Sequence, residues 1–405
     1  MPGFELIGIE EQTEINEVFA SGGILFRHGF DALRGGCYKV REFEAAFAEA
    51  MGVPHALAVT SGTAALRVAL AALGLRPGDE VVTQAFTFVA TVEAIIEARA
   101  VPVCTEIDAT LNMDPADLER RITPRTKAVI AVHMLGTPAR LLEIREICKK
   151  RGLVLIEDAA WGCGGSLDGR YLGTLGRMGT YSFDFAKTMT TGEGGMIVFQ
   201  NKADYEKAAA WHDHGHENNS KVPRWEDTRS GSGFNFRMME LQGAVGLAQL
   251  RKLPDIVMAQ RANRDRLQEA IANLAGIEFR EAPSCSRDTA DALVFFVKDN
   301  LTALRCRAAL LRKGISTKIL PEATTWHFAA TWTHMPELVA AHGGSLDVAF
   351  PNSSELLARC VSLPVTVKMR ETMPDEVRSA LSLAVAPSAG VPIRPKKNLT
   401  TDGHE

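Results

Sequence analysis

The chain predicts an α/β protein: a largely parallel sheet covered by helices on both faces, followed by a smaller α+β unit. Three observations carry this expectation. From residue 40 onward short apolar runs alternate with stretches of helical periodicity, the order that builds βα units. Two of those runs, Lys127–Met134 and Leu153–Glu157, are apolar enough to be strands buried on both faces. The chain is long, 405 residues with 46% apolar composition, which is enough to bury a sizeable core.

The elements follow in order. Val40–Met51 places Phe43, Phe47 and Met51 on one face, with charges opposite, and reads as a helix. His55–Val59 is a strand, and Ser61-Gly62-Thr63 opens a helix running to Leu73. Arg76-Pro-Gly-Asp79 is a turn, Glu80–Thr83 a strand, Phe88–Arg99 a helix and Val101–Ile107 a strand. Asp114-Pro115 supplies an N-cap and a first-position proline, so another helix starts there. A helix over Ala139–Lys150 separates the two buried strands. Gly179–Phe199 then holds two strand-like runs joined by a polar, Gly-rich connection. Helical patterns return over Met238–Lys252 and Asp255–Leu274, and Asp291–Val297, Ala303–Lys313 and Ile315–Leu320 form the smaller unit.

Charge and composition narrow the function. Forty-five Lys and Arg against 49 Asp and Glu give a net charge of −4, which excludes a broadly basic nucleic-acid binder. No run of about 18 apolar residues is present, so no membrane span is expected. The opening Met1-Pro-Gly-Phe-Glu-Leu-Ile-Gly has neither a basic nor an apolar leader region, and the expectation is a cytoplasmic enzyme. Seven scattered cysteines with no CxxC pair argue for buried or inert thiols rather than disulfides or structural zinc. Trp211-His212-Asp213-His214-Gly215-His216 reads either as a metal-like tract or as the polar end of a helix entering a loop. No carboxylate or Cys cluster nearby supports the metal, so none is assigned.

Three features fall at strand ends, where α/β sheets place ligands. Thr60-Ser61-Gly62-Thr63 offers a helix N-terminus with free amides to a phosphate, although Ser and Thr also cap helices without any ligand. Leu153-Val-Leu-Ile-Glu157-Asp158 ends an apolar strand in two acids, which serve either a site or a local cap or ion pair. Lys187 sits among Phe, Ala and Met, where lost solvation favours the neutral amine that imine chemistry needs; the alternative is a solvated lysine on a turn. Together a phosphate cradle, a buried acid and an apolar lysine are the parts of a pyridoxal phosphate site.

The ordered motifs Ser61-Gly-Thr-Ala-Ala-Leu66, Phe86-Thr-Phe-Val-Ala-Thr91, Glu157-Asp-Ala-Ala160, Ser182-Phe-x-x-x-Lys187-x-x-Thr-x-Gly-Glu-Gly-Gly195 and Gly233-Phe-Asn235-Phe-Arg-Met-Met-Glu-Leu-Gln242 resemble the DegT/DnrJ/EryC1/StrS sugar aminotransferases. The resemblance runs from about residue 3 to residue 385. It implies the fold-type I aminotransferase architecture, a large domain with a seven-stranded, mostly parallel sheet plus a small α+β C-terminal domain. The expected division is a lead-in at 1–40, a large cofactor domain at 41–255, a small domain at 256–386 and a loose tail at 387–405. A homodimer with shared active sites is also implied.

Carried onto this chain, the resemblance makes Lys187 the imine-forming and proton-shuttling base and Asp158 the partner of the pyridinium nitrogen. Phe88 would stack on the cofactor ring. Gly62, Thr63 and Ser182 would hold its phosphate, with Asn235 supplied by the other subunit. Relatives usually carry Gln or His three residues after the Asp, near the cofactor's phenolic oxygen; here Trp161 stands there, and an indole donates one N–H and accepts nothing. Relatives with His in place of the lysine are sugar dehydratases, so Lys187 favours transamination through pyridoxamine phosphate. Glutamate is the expected donor, with glutamine open.

For the acceptor, Phe26-Arg27-His28, Cys37-Tyr38-Lys39-Val40-Arg41, the His212–His216 run and Thr325-Trp326-His327 look most like the branch that makes 8-amino-3,8-dideoxy-manno-octulosonate for lipopolysaccharide. Arg27, Lys39 and Arg41 then either meet the sugar carboxylate or are solvated surface cations. His214, Trp326 and His327 are candidate sugar contacts, with packing the alternative for the last two. The rivals are a nucleotide-linked 3- or 4-keto-6-deoxyhexose, a keto-cyclitol, and a catalytically silent binding relative.

Overall fold

The computed structural model describes residues 2–219 and 221–386; the expected loose tail, 387–405, lies outside the described residues. The central sheet is built from β1 (His55–Val59), β2 (Glu80–Gln84), β3 (Val101–Thr105), β4 (Thr126–Val132), β5 (Val154–Asp158), β8 (Met178–Ser182) and β9 (Gly195–Phe199); β6 (Ser166–Leu167) and β7 (Arg170–Tyr171) form a ribbon beside it. Its order is β1-β9-β8-β5-β4-β2-β3. β9 pairs antiparallel with both neighbours, and every other pairing is parallel. Six strands therefore run one way and only β9 is reversed, which is why the 179–199 segment reads differently in the sequence.

The apolar strands partition by period two. In β4, Ala128, Ile130 and Val132 enter one core cluster, while Val129 and Ala131 enter the other. Both faces are thus dry, as a parallel sheet requires. The helix Gly62–Leu73 is capped by Ser61, whose Oγ accepts from the Ala64 N–H, and ends at Gly74 with φ 67°. Asp114 caps Pro115–Arg121 as expected.

A second sheet, β10 (Glu278–Phe279), β12 (Ala292–Phe296) and β13 (Cys360–Pro364), packs under the helices Asn300–Arg312 and Met373–Val385, around Phe295, Leu310, Leu363 and Leu381. β11 (Ser286–Arg287) joins the β6–β7 ribbon. Ile315–Leu320 forms no strand. The two helices expected over Met238–Lys252 and Asp255–Leu274 are one, Glu240–Ile271, with Pro254 inside it. Proline removes one helical hydrogen bond, at about 3 kcal/mol. The helix survives because Leu247, Leu250, Leu253 and Val257 pack on the large sheet while Leu267 and Ile271 enter the small one.

The lead-in is structured. Helix Ile9–Ala20 lies on Glu240–Ile271, held by Glu11 accepting from Gln249 at 2.8 Å and from Lys252 at 2.8 Å. Upstream of it the Gly3 N–H donates to the carbonyl of Lys187 at 3.2 Å. Cys104, Cys148, Cys163 and Cys360 are buried, and burial pushes their thiols up to about 12. No described helix is long and apolar enough to cross a membrane.

Candidate active site

The carboxyl ends of β5 and β8 and the start of Gly62–Leu73 surround a cavity of about 320 Å³ lined by Gly62, Thr63, Phe88, Asp158, Trp161, Ser182, Lys187 and His327, among others. Residues spread over 266 positions of sequence thus converge on one space. The two acids at the end of β5 separate into distinct roles. Glu157 accepts from the N–H groups of Gly173, Leu175 and Gly176 at 2.7, 2.6 and 2.5 Å, and from His133 at 3.1 Å. Since His133 Nδ1 accepts the Ala139 N–H at 3.1 Å, its Nε2 carries the proton given to Glu157. Glu157 is a structural clamp.

Asp158 faces the cavity. Its carboxylate accepts from Thr91 Oγ1 and from the Ala160 N–H, each at 3.1 Å, and burial raises its pKa. Lys187 is half-buried at the cavity wall, and lost solvation pulls its ammonium down to about 8, partly resisted by Asp291 and Asp158. Its Nζ lies 3.5 Å from the centroid of the Trp161 ring. Phe88 lies parallel to Trp326, at 6.1 Å and 10°, and 5.4 Å from His327. His327 Nδ1 meets the Ala323 carbonyl at 3.1 Å, so Nε2 is left as an acceptor, and burial lowers the imidazole to about 4.

These residues fit pyridoxal phosphate. A Cβ on Gly62 would stand 2.7 Å from Ser182 Cβ, so glycine keeps the cradle open beside a capped helix N-terminus that favours an anion. An apolar wall at Phe88, a buried carboxyl at Asp158 and a desolvated amine at Lys187 match the ring, its nitrogen and its carbonyl.

A model of the DegT/DnrJ/EryC1/StrS aminotransferase family matches residues 30–382. The chain belongs to that family. It is a pyridoxal-phosphate-dependent sugar aminotransferase. It is 33% identical over 390 residues to the spore coat polysaccharide biosynthesis protein SpsC of Bacillus subtilis (strain 168), covering 93% of this chain and 94% of that one. It is 36% identical over 265 residues to GDP-perosamine synthase of Vibrio cholerae, covering 65% and 68% respectively. Among solved structures it is similar to the aminotransferase TlmJ from Streptoalloteichus hindustanus, with a TM-score of 0.81 and 28% identity over 94% of this chain and 97% of that one.

Other expected site residues lie elsewhere. Arg27 is buried, paired with Glu44 at 2.6 Å and donating to the Ala58 carbonyl at 3.0 Å, and is not the solvated surface cation of the sequence reading. Lys39 is likewise held by Glu14 and Glu17 at 2.8 and 2.5 Å. Both are corrections with one cause: a buried cation must be neutralised locally. Arg41 is exposed, its guanidinium 4.0 Å from the Tyr38 ring. His214 is exposed at φ 56°, in the loop that follows helix Lys202–Trp211. The His212–His216 run is therefore a helix end entering a loop. Asn235 is exposed outside the cavity, its Oδ1 accepting the Arg237 N–H at 3.2 Å. Trp326 touches the site through Phe88 and is 61% exposed.

Thr91, Asp291 and Lys318 were not read from the sequence as site residues. Thr91 closes the Phe86–Thr91 motif, a usable signal. Asp291 and Lys318 are over a hundred residues from Lys187 and carry no local mark.

Proposed function

We propose that this enzyme moves an amino group from glutamate to a keto sugar, with 8-oxo-3-deoxy-manno-octulosonate as acceptor and the 8-amino sugar as product. The observation that supports the transfer itself is the convergence of Lys187, Asp158 and the Gly62 cradle on one cavity. Pyridoxal phosphate, when bound, supplies a carbonyl that takes up the amino group and a ring that receives the electrons left by the departing proton. Lys187 holds and moves that proton at Nζ, a role that a pKa of about 8 suits near neutral pH. Asp158 holds the ring nitrogen, and Thr91 orients Asp158. Phe88 confines the ring, and Gly62, Thr63 and Ser182 hold the phosphate. His327 Nε2 accepts a substrate hydroxyl.

The working form in this reading is a homodimer in which a second copy brings Asn235 to the phosphate. The exposure of Phe30, Leu33, Trp225 and Phe234 supports a covered face there. The proposed workplace is the cytoplasm. Arg27 and Lys39 are spent on internal ion pairs, and relatives include GDP-perosamine synthase; both favour a second acceptor class, a nucleotide-linked 4-keto-6-deoxyhexose.

The test is a half-reaction. Glutamate should bleach the visible absorption of the loaded enzyme, and a panel of keto sugars should restore it, octulosonate most rapidly. Lys187→Ala should lower turnover by at least about a hundredfold. Full activity in that variant sinks the assignment of Lys187, and restoration only by nucleotide-linked sugars sinks the octulosonate reading.

A further inference from the structure

Trp161 follows the end of β5, and two amines approach its ring. Lys187 Nζ lies 3.5 Å from the ring centroid and Lys318 Nζ 4.8 Å from the same centroid, so the two amines stand within about 8 Å of one another. Lys318 is bound by Asp291 Oδ2 at 2.6 Å. Asp291 is buried, with a side chain only 1% exposed, and its other oxygen, Oδ1, has no hydrogen-bond partner among the described residues. A buried carboxylate oxygen left without a partner costs stability, so its retention calls for a use. The loop carrying Lys318 is fixed by its backbone N–H, which donates to the Ser362 carbonyl at 2.8 Å on β13.

We propose that Trp161, Asp291 and Lys318 are positioning residues for Lys187: the ring face and the carboxylate hold its ammonium while it carries a proton, and the Lys318 charge limits that hold so the proton is released. The inference rests on Lys187 being the reactive amine. An ammonium is drawn to an indole face and to a buried carboxylate, and repelled by a second ammonium. The small C-terminal part of the chain thereby sets the proton affinity of a lysine carried on the large sheet. The other charged or titratable groups facing Lys187 are Asp158 at the end of β5, Asp184 on its own loop and His327 from the segment after Lys318; Glu193 lines the same cavity. Among the described residues Lys318 forms its ion pair with Asp291 and with none of these groups, so variants at 291 and 318 leave them in place.

The test reads the proton affinity of Lys187 directly. The full chain, freed of cofactor, is acetylated by competitive labelling from neutral to alkaline pH, and the Lys187 peptide is quantified by mass spectrometry. Lys318→Met should raise the labelling midpoint by about one unit, and Asp291→Asn should lower it by a similar amount. Lys318→Arg keeps the charge and should keep the parent midpoint. In the loaded enzyme, the pH dependence of the visible absorption should move in the same directions. Opposed shifts with rescue by arginine support the proposal, and a merely structural role does not produce them. Unchanged midpoints, or shifts of the same sign in Lys318→Met and Asp291→Asn, overturn it. Because labelling does not need turnover, this result stands apart from the Lys187→Ala outcome that tests the function.

Discussion

Gly62 offers a clean test of the phosphate cradle, because its backbone does not require glycine. It is absent from the positive-φ residues, so alanine meets no conformational penalty there. The obstacle is steric alone. A Cβ at this position stands 2.7 Å from Ser182 Cβ, 3.0 Å from Ser182 Oγ and 3.3 Å from Ser182 Cα. Carbon pairs are comfortable at about 3.5–4.0 Å, so the helix start and β8 must separate by about 1 Å. β8 is held on both sides, by β5 and β9, and gives little. Overpacking of this kind costs about 1–3 kcal/mol. The strain falls on the groups that hold the phosphate, and at 1.4 kcal/mol per tenfold it should weaken pyridoxal phosphate binding by about fivefold to a hundredfold. Titration of the cofactor-free chain, followed by absorbance, measures this, and thermal unfolding with and without cofactor checks the same loss by linkage. An affinity within about twofold of the parent would refute the cradle.

Two further outcomes are expected. Gly3→Val should cost about 1–3 kcal/mol in denaturant unfolding and lower activity. Its Cβ would meet Met189 Cα at 2.8 Å and Thr190 N at 2.9 Å, pushing off the Lys187 loop to which Gly3 is bonded. Unchanged unfolding and activity would show that the contact is idle. The second concerns pH. In the cofactor-free chain Lys187 is lowered from 10.5 to about 8, so between those values the unfolded state binds more protons. Stability therefore rises with pH across that window, and falls as pH drops back through 8. Relative to Lys187→Met, the parent should gain up to about 3 kcal/mol from the lower to the upper edge. Parallel stability curves for the two proteins would contradict a desolvated amine.

The local code of the large sheet was legible because its signals are short-range. Ser61 and Asp114 cap the helices they were expected to cap, and the strands appear within two residues of their apolar runs. The candidate cradle at Gly62, the acid Asp158 and Lys187 were legible for the same reason, since each lies at or just beyond the end of a strand. Misreadings arose where a residue's fate depends on distant partners. The helix expected as two stretches, 238–252 and 255–274, is continuous through Pro254, because the two cores that hold it together are assembled from both ends of the chain. Arg27 and Lys39 looked like free cations because Glu44 and Glu14 are distant in sequence.

The sequence by itself determined the fold class and the family and pointed to Lys187 and Asp158 as the proposed reacting groups, because motif order and strand-end chemistry are written in contiguous residues. Only the tertiary structure decided which charges are spent inside the protein and which reach the cavity. It alone brought Asp291 and Lys318 to Trp161, because electrostatic energy depends on separation in space, and a hundred residues of chain between two groups place no bound on that distance.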